Sequence, residues 1–486
     1  MHPDSNIKRT PMPNQPHPFE APLPRRGVLG AFAAALMVLP RAFAAGREAA
    51  RPWELFPFSA DVTPLVGHPC MGGGIEPVKS VADPLEAIGF VLRGDSLEKP
   101  VVVVAVDWCE IRNEAYDRWR EAIAEAAGTE PGRVLLSAVH QHDAPIADLA
   151  AERMLEEHGC AGRICNIPFH ELIVKRVAHA VEKAMAKAPR PVTHVGVGRA
   201  KAERVGSSRR YVRPDGTVVH DRTSASKNPV AHDAEEGLID PYVTVVSFWD
   251  GDEPVAALNH YAIHPMSYYG KGEVSADFVG MARRARQKAL PGVLQVYASG
   301  CGGDVTAGKY NDGDPARRPE LAARLEDAMA RAWEATRREP LERASLRVEP
   351  LTFTPREGPG FTEVDLKARL LDHAKPFGQC LAAMGLSWRE RVAAGRPIDL
   401  PALDLGPVVL VLLPGETYVA FQLLAQKLRP DKVVVAIAYG DAATGYIPTA
   451  DRIAERDSNL GDWCWVAPDA EAVLTKGLEA VLKPER

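Results

Sequence analysis

The sequence predicts an α/β fold with a mixed, partly parallel sheet core and flanking helices. Three observations support this class. Short apolar runs with the length and composition of buried strands recur after residue 50. Helical patterns lie between some of these runs, and alternation of this kind is typical of sheets with parallel strands. Each apolar run also finishes in a polar side chain, a pattern found where a sheet carries a functional site at its strand ends.

The predicted elements follow the chain in a simple order. Six apolar runs are predicted as strands, at residues 101–107, 134–140, 255–264, 293–304, 408–416 and 432–441. Amphipathic patterns at residues 114–128 and 319–339 predict helices. Residues 201–240 are rich in Gly, Ser, Pro and charge, which predicts a long surface loop or flap.

The composition is that of a globular protein with a large core. Of the 486 residues, 46% are hydrophobic and 25% are charged, close to the averages for soluble domains. The formal net charge of −6 is spread without blocks of like charge, so we exclude nucleic acid as a partner. No linker or repeat follows residue 50, and we interpret residues 46–486 as a single catalytic domain.

Residues 1–45 are predicted to be a signal peptide and not part of the fold. Arg25 and Arg26 precede a short apolar run, and the small residues at 42–44 offer a cleavage site. The arginine pair favours the twin-arginine route; an ordinary secretory signal is the alternative. Either route predicts a periplasmic or secreted protein. No later segment is apolar over the roughly 18 residues that a membrane span needs.

The seven cysteines are an odd number for an exported chain, so at least one is expected to be free or paired between molecules. Cys160 and Cys165 are close enough in sequence for a local disulfide, and the sequence leaves this pairing open. No Cys-x-x-Cys motif occurs, so a zinc site built from thiolates is not indicated.

The ends of the apolar runs carry side chains that bind metals or transfer protons. Strand ends in α/β sheets meet in one crevice, so these residues are expected to converge. They are Asp107, His140, His142, His260, His264, Asp304 and Glu416, with Tyr446 a few residues beyond the last run.

The His-x-His stretch at 140–142 is the strongest single signal. Residues two apart on a strand point to the same face, which predicts that His140 and His142 project side by side. Taken alone, the pair also fits a surface or core position, and Glu416 alone fits a salt-bridged or exposed loop. Two histidine pairs together with a carboxylate at strand ends favour a metal site, and zinc suits such ligands.

Several short motifs extend this interpretation. In chain order they are FSADVTPLVGHPCMGGG (58–74), SAVHQHDAP (137–145), GSSRRYVRPDG (206–216), ALNHYAIHPMS (257–267) with VSADFVG (274–280), CGGDVT (301–306), LPGETYV (413–419) and TGYIPTADR (444–452). They resemble motifs of the neutral or alkaline non-lysosomal ceramidases, zinc amidases that split ceramide into sphingosine and a fatty acid. The resemblance covers most of residues 57–460.

The resemblance implies a role for each matching residue. It implies that the ligands of a Zn²⁺ ion are His140, His264, Glu416 and Tyr446. His142 would then be an acid/base histidine beside the metal, and Arg209 would position the substrate. His260 is expected to be a buried histidine of the sheet. The carboxylates of Asp107, Asp277 and Asp304 are expected to support loops or ligands, because four protein ligands and a water fill the zinc sphere.

The chain departs from the family pattern in three respects. Thr306 stands where the family has a serine, and either its hydroxyl serves catalysis or it fixes the local turn. The family tyrosine expected about a dozen residues after Tyr446 is missing, since no tyrosine follows Tyr446; its expected role is to steady an oxyanion. The third departure is that the family's C-terminal immunoglobulin-like domain is not expected here. With these departures, the resemblance implies a compact, divergent member of the family.

The function implied is a zinc-dependent amide hydrolase acting on ceramide or another N-acylated amphiphile, with contact to a membrane surface for its lipid substrate. An exported metal-dependent esterase, lactonase or amidase with a non-sphingolipid substrate is the alternative, and the missing tyrosine favours it. A non-catalytic exported protein that binds metal or carbohydrate is a third interpretation.

Overall fold

The computed structural model describes residues 53–484, in which three sheets form the core. The predicted signal peptide lies outside the described residues. The first sheet has five strands, in the spatial order Val134–Ala138, Val101–Val106, Glu86–Arg93, Trp53–Asp61 and Arg190–Val192. The second has the order Leu294–Ser299, Glu253–Tyr261, Tyr242–Asp250, His194–Lys201 and Arg337–Pro340. The third has four strands, Ser345–Leu351, Ile398–Asp404, Val408–Leu412 and Val433–Ile437.

The central strands are apolar throughout because both of their faces are covered. Along Val101–Val106, the side chains of Val102 and Val104 join one hydrophobic cluster, and those of Val101 and Val103 join another. Successive strand residues point to opposite faces, so a strand with two covered faces needs an unbroken apolar run. This explains why these runs are visible in the sequence.

Each of the three sheets contains one pair of parallel strands joined by a helix. In the first sheet the helix Asn113–Ala127 connects Val101–Val106 to Val134–Ala138. The helices Asp277–Ala289 and Val419–Leu428 make the equivalent connections in the second and third sheets. Parallel strands require such crossovers. The predicted α/β class with a partly parallel core is confirmed, and each of the three large sheets contributes one parallel pair.

The carboxyl ends of these parallel pairs are hydrogen-bonded to one another. The Ala138 N–H donates to the Tyr439 carbonyl at 2.9 Å, and the Ala438 N–H donates to the Ser299 carbonyl at 2.9 Å. The Ser299 hydroxyl donates to the Val139 carbonyl at 2.8 Å. Strand ends from all three sheets therefore meet at one place.

Helices cover the outer faces of the sheets. Besides the three crossover helices, the described residues form helices at Leu149–Glu157, Ile167–Met185, Pro229–Asp233, Arg317–Glu334, Glu363–Leu370, Pro376–Ala393, Ala450–Ala454 and Ala470–Val481. Among residues 53–484, no helix combines the length and the apolar character needed to cross a membrane.

One sequence-based expectation changes here, and one question that the sequence leaves open is answered. Residues 201–240 are largely irregular, as predicted, but they are not confined to the surface, because Arg209, His220 and Arg222 are buried. The burial follows from hydrogen bonds: Arg222 donates to the backbone carbonyls of Ser208 and Glu235, both at 2.8 Å. All seven cysteines are buried free thiols, Cys160 and Cys165 included.

Candidate metal centre

His140 lies in a tight turn just after the strand Val134–Ala138. Its φ is 76°, in the left-handed region that non-glycine residues seldom occupy. Its backbone N–H donates to the Trp108 carbonyl at 2.9 Å. The prediction that His140 and His142 share one face of a strand is wrong, because both residues follow the strand. The turn nevertheless brings the two rings to a centroid distance of 5.3 Å.

His264 and Glu416 approach from the other two sheets. His264 follows the strand Glu253–Tyr261, and its N–H donates to the Val305 carbonyl at 2.8 Å. Glu416 begins a short strand that pairs in parallel with Tyr446–Ile447, so Glu416 lies directly beside Tyr446. Each residue is thus placed by a different turn at the meeting point of the strand ends.

Three donor atoms from these residues form a compact triangle. The Nε2 atoms of His140 and His264 are 3.0 Å apart. Oε2 of Glu416 is 3.2 Å from Nε2 of His140 and 3.3 Å from Nε2 of His264. All three side chains are at most 3% exposed. The arrangement brings two imidazoles and a carboxylate together out of contact with bulk water.

The opposite ring nitrogens are held by backbone carbonyls. Nδ1 of His140 lies 2.9 Å from the Cys109 carbonyl, and Nδ1 of His264 lies 2.9 Å from the Gly302 carbonyl. A carbonyl can only accept, so each Nδ1 carries the proton and each Nε2 can present a lone pair. Two imidazole nitrogens and a carboxylate oxygen at these distances form a group that can hold a metal ion.

A zinc ion fits this triangle. With zinc–ligand bonds of about 2.0–2.1 Å in a tetrahedron, ligand atoms are separated by about 3.3–3.4 Å, close to the three distances observed here. Backbone acceptors on the outer nitrogens of ligating histidines are also usual in zinc sites.

The electrostatics of the centre also favour a positive charge. Burial lowers the pKa of His140, but the carboxylates of Glu416 and Glu110 outweigh this effect and raise the net pKa above its ordinary value. Burial holds the pKa of His264 well below its ordinary value, and the positive charge of Arg209 lowers it further. His264 is therefore a neutral imidazole, the form that binds a metal.

Tyr446 and Arg209 form the next contacts outward. Arg209 donates from Nη1 to the Tyr446 hydroxyl oxygen at 2.7 Å and to Oδ1 of Asn459 at 3.1 Å. Burial raises the pKa of Tyr446 well above its ordinary value, and the Arg209 charge opposes this shift. The Nε–H of Arg209 is buried and has no hydrogen-bond partner among residues 53–484. The guanidinium thus orients the phenol through Nη1, and its Nε–H is left for another acceptor.

His142 stands beside the triangle and outside it. Its ring centroid is 5.3 Å from that of His140 and 5.6 Å from that of His264. Its Nδ1 atom is buried and has no hydrogen-bond partner among the described residues. Burial holds the pKa of His142 well below its ordinary value, with further lowering by His140 and Arg209. A neutral imidazole with an unused nitrogen can accept a proton.

These groups line a narrow cavity of about 30 Å³. Its wall consists of Met71, Cys109, Glu110, His140, His142, Ile146, Glu416, Tyr446 and Trp463. The Sγ atom of Cys109 lies 4.0 Å from Nδ1 of His140. A larger apolar cavity of about 640 Å³ lies between other helices and is lined by none of the predicted site residues.

The remaining histidine and aspartates are outside the centre. Nε2 of His260 lies 3.0 Å from the Ala436 carbonyl, a contact that joins the second sheet to the third. Asp107 pairs with Arg283 at 2.9 Å. Asp277 and Asp304 accept hydrogen bonds from the backbone N–H groups of Ser267 (3.1 Å) and Val419 (2.8 Å) respectively. These are contacts that hold loops in position.

Thr306 contacts backbone carbonyls of a segment distant in sequence. Its hydroxyl lies 3.0 Å from the Arg222 carbonyl and 2.9 Å from the Thr223 carbonyl, and its residue is fully buried. These bonds fix residues 222–223 against the short strand Val305–Thr306. The hydroxyl is therefore engaged with a segment distant in sequence, and it donates there and not within the turn after Asp304.

Sequence reasoning missed two residues of the centre, Tyr439 and Glu110. The Tyr439 ring stacks on His140 with 4.3 Å between centroids and 13° between planes. Glu110 accepts from Arg112 at 2.7 Å; burial raises its pKa to about 7, and the Arg112 charge opposes the shift. Tyr439 ends an apolar run and resembles a core residue. Glu110 follows a strand end, as the detected residues do, and could have been included by that criterion.

No family model matches the sequence, and no relative is found among the curated proteins. Two solved structures are similar over most of the chain. A ceramidase complexed with C2 superimposes with a TM-score of 0.67 at 18% identity, covering 89% of this chain and 75% of its own. A neutral ceramidase from Pseudomonas aeruginosa gives a TM-score of 0.65 at 17% identity, covering 89% and 74%. The predicted resemblance is thus confirmed at the level of the fold: this chain has the fold of the neutral ceramidases.

Proposed function

We propose that the protein is a zinc-dependent hydrolase that cleaves the amide bond of ceramide or of another N-acylated amphiphile. The observation that carries this proposal is the buried triangle of His140, His264 and Glu416, with donor atoms 3.0–3.3 Å apart. Two imidazoles and a carboxylate suit zinc better than calcium or magnesium, which prefer oxygen ligands. The ceramidase fold supports the choice of an amide substrate.

The ligand set we propose is His140, His264, Glu416 and Tyr446. The first three supply the triangle, and Tyr446 is the strand neighbour of Glu416. Arg209 donates to the Tyr446 oxygen at 2.7 Å, and this positive charge favours the ionised phenol that a metal would bind. A zinc ion bound here would lower the pKa of a coordinated water and polarise the scissile carbonyl.

Side chains around the centre would transfer protons and orient the substrate. His142, neutral and with Nδ1 unpartnered, would accept a proton as the tetrahedral intermediate forms and deliver it to the leaving amine. The free Nε–H of Arg209 would donate to a substrate oxygen. Thr306 would contribute to the site only through the segment that its hydroxyl holds in position.

We also propose that the enzyme acts outside the cytoplasm. The arginine pair and apolar run within residues 1–45 support export to the periplasm or exterior, with residues 46–486 as the catalytic domain. An amphiphilic substrate would reach the enzyme from a membrane surface or a micelle.

The experiment is zinc analysis of purified protein, followed by assays with a panel of N-acyl amphiphiles, simple amides and esters. We expect about one zinc per chain and turnover of a long-chain amide. His264→Asn should lose zinc, and His260→Asn, at a buried histidine four residues earlier, should retain it. Protein without a transition metal, or equal zinc loss in both variants, would contradict the proposal.

One observation favours a second candidate, an esterase, lactonase or amidase with a non-sphingolipid substrate. Thirteen residues after Tyr446, close to where the resemblance would place a tyrosine, Asn459 accepts from Arg209. Both side-chain N–H groups of Asn459 already donate to other groups, the His220 carbonyl and Asp457. Asn459 therefore does not take over the hydrogen-bond donor expected of the family tyrosine. Zinc-dependent turnover of simple esters or amides, with ceramide hydrolysis no faster than in buffer, would favour this candidate.

A further inference from the structure

Tyr439 contacts both histidines of the proposed centre. Its ring lies parallel to the His140 imidazole, with centroids 4.3 Å apart and 13° between planes. The same ring meets the His264 imidazole edge to face, at 6.2 Å and 85°. A flat ring on an imidazole restricts rotation about χ2, the torsion that decides where Nε2 points.

The backbone of Tyr439 joins the segments that carry the other ligands. Its carbonyl accepts from the Ala138 N–H at 2.9 Å, two residues before His140. Its own N–H donates to the Gly415 carbonyl at 3.1 Å, one residue before Glu416. One residue is thus hydrogen-bonded to both ligand-bearing turns.

The backbone conformations of Tyr439 and His140 are both strained. Tyr439 has a φ of 59° and His140 a φ of 76°, both in the left-handed region, and neither is a glycine. This conformation is costly for a residue with a Cβ atom, and strain of this kind persists where surrounding contacts hold it. The stacked rings belong to two strained residues that face each other.

We infer that Tyr439 is a positioning residue of the metal centre, whose ring holds the His140 imidazole in the plane that directs Nε2 at the ion. This inference rests on the proposed zinc site. The hydroxyl contributes little, because it lies 3.5 Å from Nδ1 of His264, a nitrogen that already donates to the Gly302 carbonyl at 2.9 Å. The contributions of the ring and of the hydroxyl to zinc binding can therefore be measured separately.

Zinc affinity, measured by competition with a chelator, tests the inference in three variants. Tyr439→Leu removes the stack and should weaken zinc binding about tenfold to a hundredfold, the usual effect of losing a group that orients a ligand. Tyr439→Phe keeps the ring and should bind zinc within about threefold of the wild type, by the weakness of the hydroxyl contact. The visible spectrum of the cobalt-substituted protein should change in Tyr439→Leu alone, since it reports ligand geometry.

Tyr297 provides a matched control. It is 2% exposed, and the distance from its hydroxyl to the Tyr261 carbonyl is also long, at 3.5 Å. Tyr297→Leu should destabilise the fold as much as Tyr439→Leu and leave zinc affinity and the cobalt spectrum unchanged. If Tyr439→Leu does not fold, Tyr439→Met replaces it with the same expectation.

The outcomes separate this inference from the function on which it rests. Wild-type protein that binds no zinc would overturn both. Zinc bound equally well by wild type and Tyr439→Leu would overturn the inference alone, as would equal zinc loss in Tyr297→Leu. Zinc loss in Tyr439→Phe as large as in Tyr439→Leu would assign the effect to the hydroxyl and also overturn it.

Discussion

His140 and His142 face the same cavity from different surroundings. His140 points Nε2 at His264 and Glu416 and is fixed from behind by the Cys109 carbonyl. His142 has an unpartnered Nδ1. From these contacts we propose that His140 is a metal ligand and that His142 exchanges protons, although the residue type is the same.

Substitution of each histidine should therefore have a different result. His140→Ala should lose zinc and activity together. His142→Ala should retain zinc and lose turnover by about a hundredfold to ten-thousandfold, the usual contribution of an acid/base group. Zinc content and kcat measured on the same preparations distinguish the two roles. Equal zinc loss in both variants would mean that His142 is itself a ligand.

Thr306 is expected to act through stability. Thr306→Val keeps the shape and removes the hydroxyl that bonds the carbonyls of Arg222 and Thr223, which should cost about 1–3 kcal/mol of unfolding free energy. Thr306→Ser keeps the hydroxyl and loses one methyl, a change of about 1 kcal/mol. Denaturant unfolding measures both. Unchanged stability with a lower rate per folded molecule in Thr306→Val would show instead that the hydroxyl serves the reaction.

At the scale of the elements, the turns after the strands determine the site. The strand Val408–Leu412 leads to Gly415, whose φ of 55° lets the chain place Glu416 beside Tyr446. A Cβ atom at Gly415 would overlap the Thr444 hydroxyl and the Gly445 carbonyl. The Glu416 turn therefore depends on glycine for both its conformation and its close approach.

Gly415→Ala should displace Glu416 and weaken zinc binding by about tenfold or more. The control is Gly406→Ala, because Gly406 also has a positive φ, 93°, and no atom lies within 4 Å of its added Cβ. The control should cost only the backbone strain, on the order of 1–2 kcal/mol, and keep its zinc. Chelator competition and denaturant unfolding measure the two effects. Wild-type zinc affinity in Gly415→Ala would refute this account of the turn.

The strands could be predicted from the sequence more accurately than the turns. The apolar run at 134–140 gives the observed strand Val134–Ala138, and the run at 408–416 gives Val408–Leu412. Both predictions begin at the correct residue and continue too far, because they include the polar residues that follow. Burial of both strand faces leaves a continuous apolar pattern, whereas a left-handed turn at His140 leaves none.

The sequence also could not show that the residues of the site come from three different sheets. The sequence indicates that polar strand ends converge, and His140, His264 and Glu416 do so. Which sheet each strand joins depends on long-range pairing, for which the local pattern carries no information. Tyr439 was missed for a related reason, since an aromatic residue after an apolar run is more often part of a core.

Over the whole molecule, buried neutral histidines predict loss of stability in acid. Burial lowers the pKa of His68 from 6.5 to about 4, and the Pro69 carbonyl opposes the shift only in part. The unfolded chain takes up this proton below about pH 6.5, before the folded chain does. Stability is therefore complete above that pH and falls as the pH drops toward 4.

His68→Gln should reduce this loss. From pH 7 to pH 4.5, His68 accounts for on the order of 2–3 kcal/mol of unfolding free energy. Glutamine can still donate to the Pro69 carbonyl and accept from the Asn166 N–H, the two contacts of the histidine ring. Urea unfolding of both proteins at the two pH values gives the difference. The same decrease in wild type and variant would show that His68 does not titrate on unfolding.

We propose that one zinc ion is bound between His140, His264 and Glu416. Anomalous diffraction from crystals of the zinc-loaded protein, recorded on both sides of the zinc absorption edge, would locate this ion. We expect a single strong peak per chain, at about 2.0–2.2 Å from Nε2 of both histidines and from Oε2 of Glu416. Zinc-saturated crystals with these side chains in place and no peak among the three donor atoms would contradict the account.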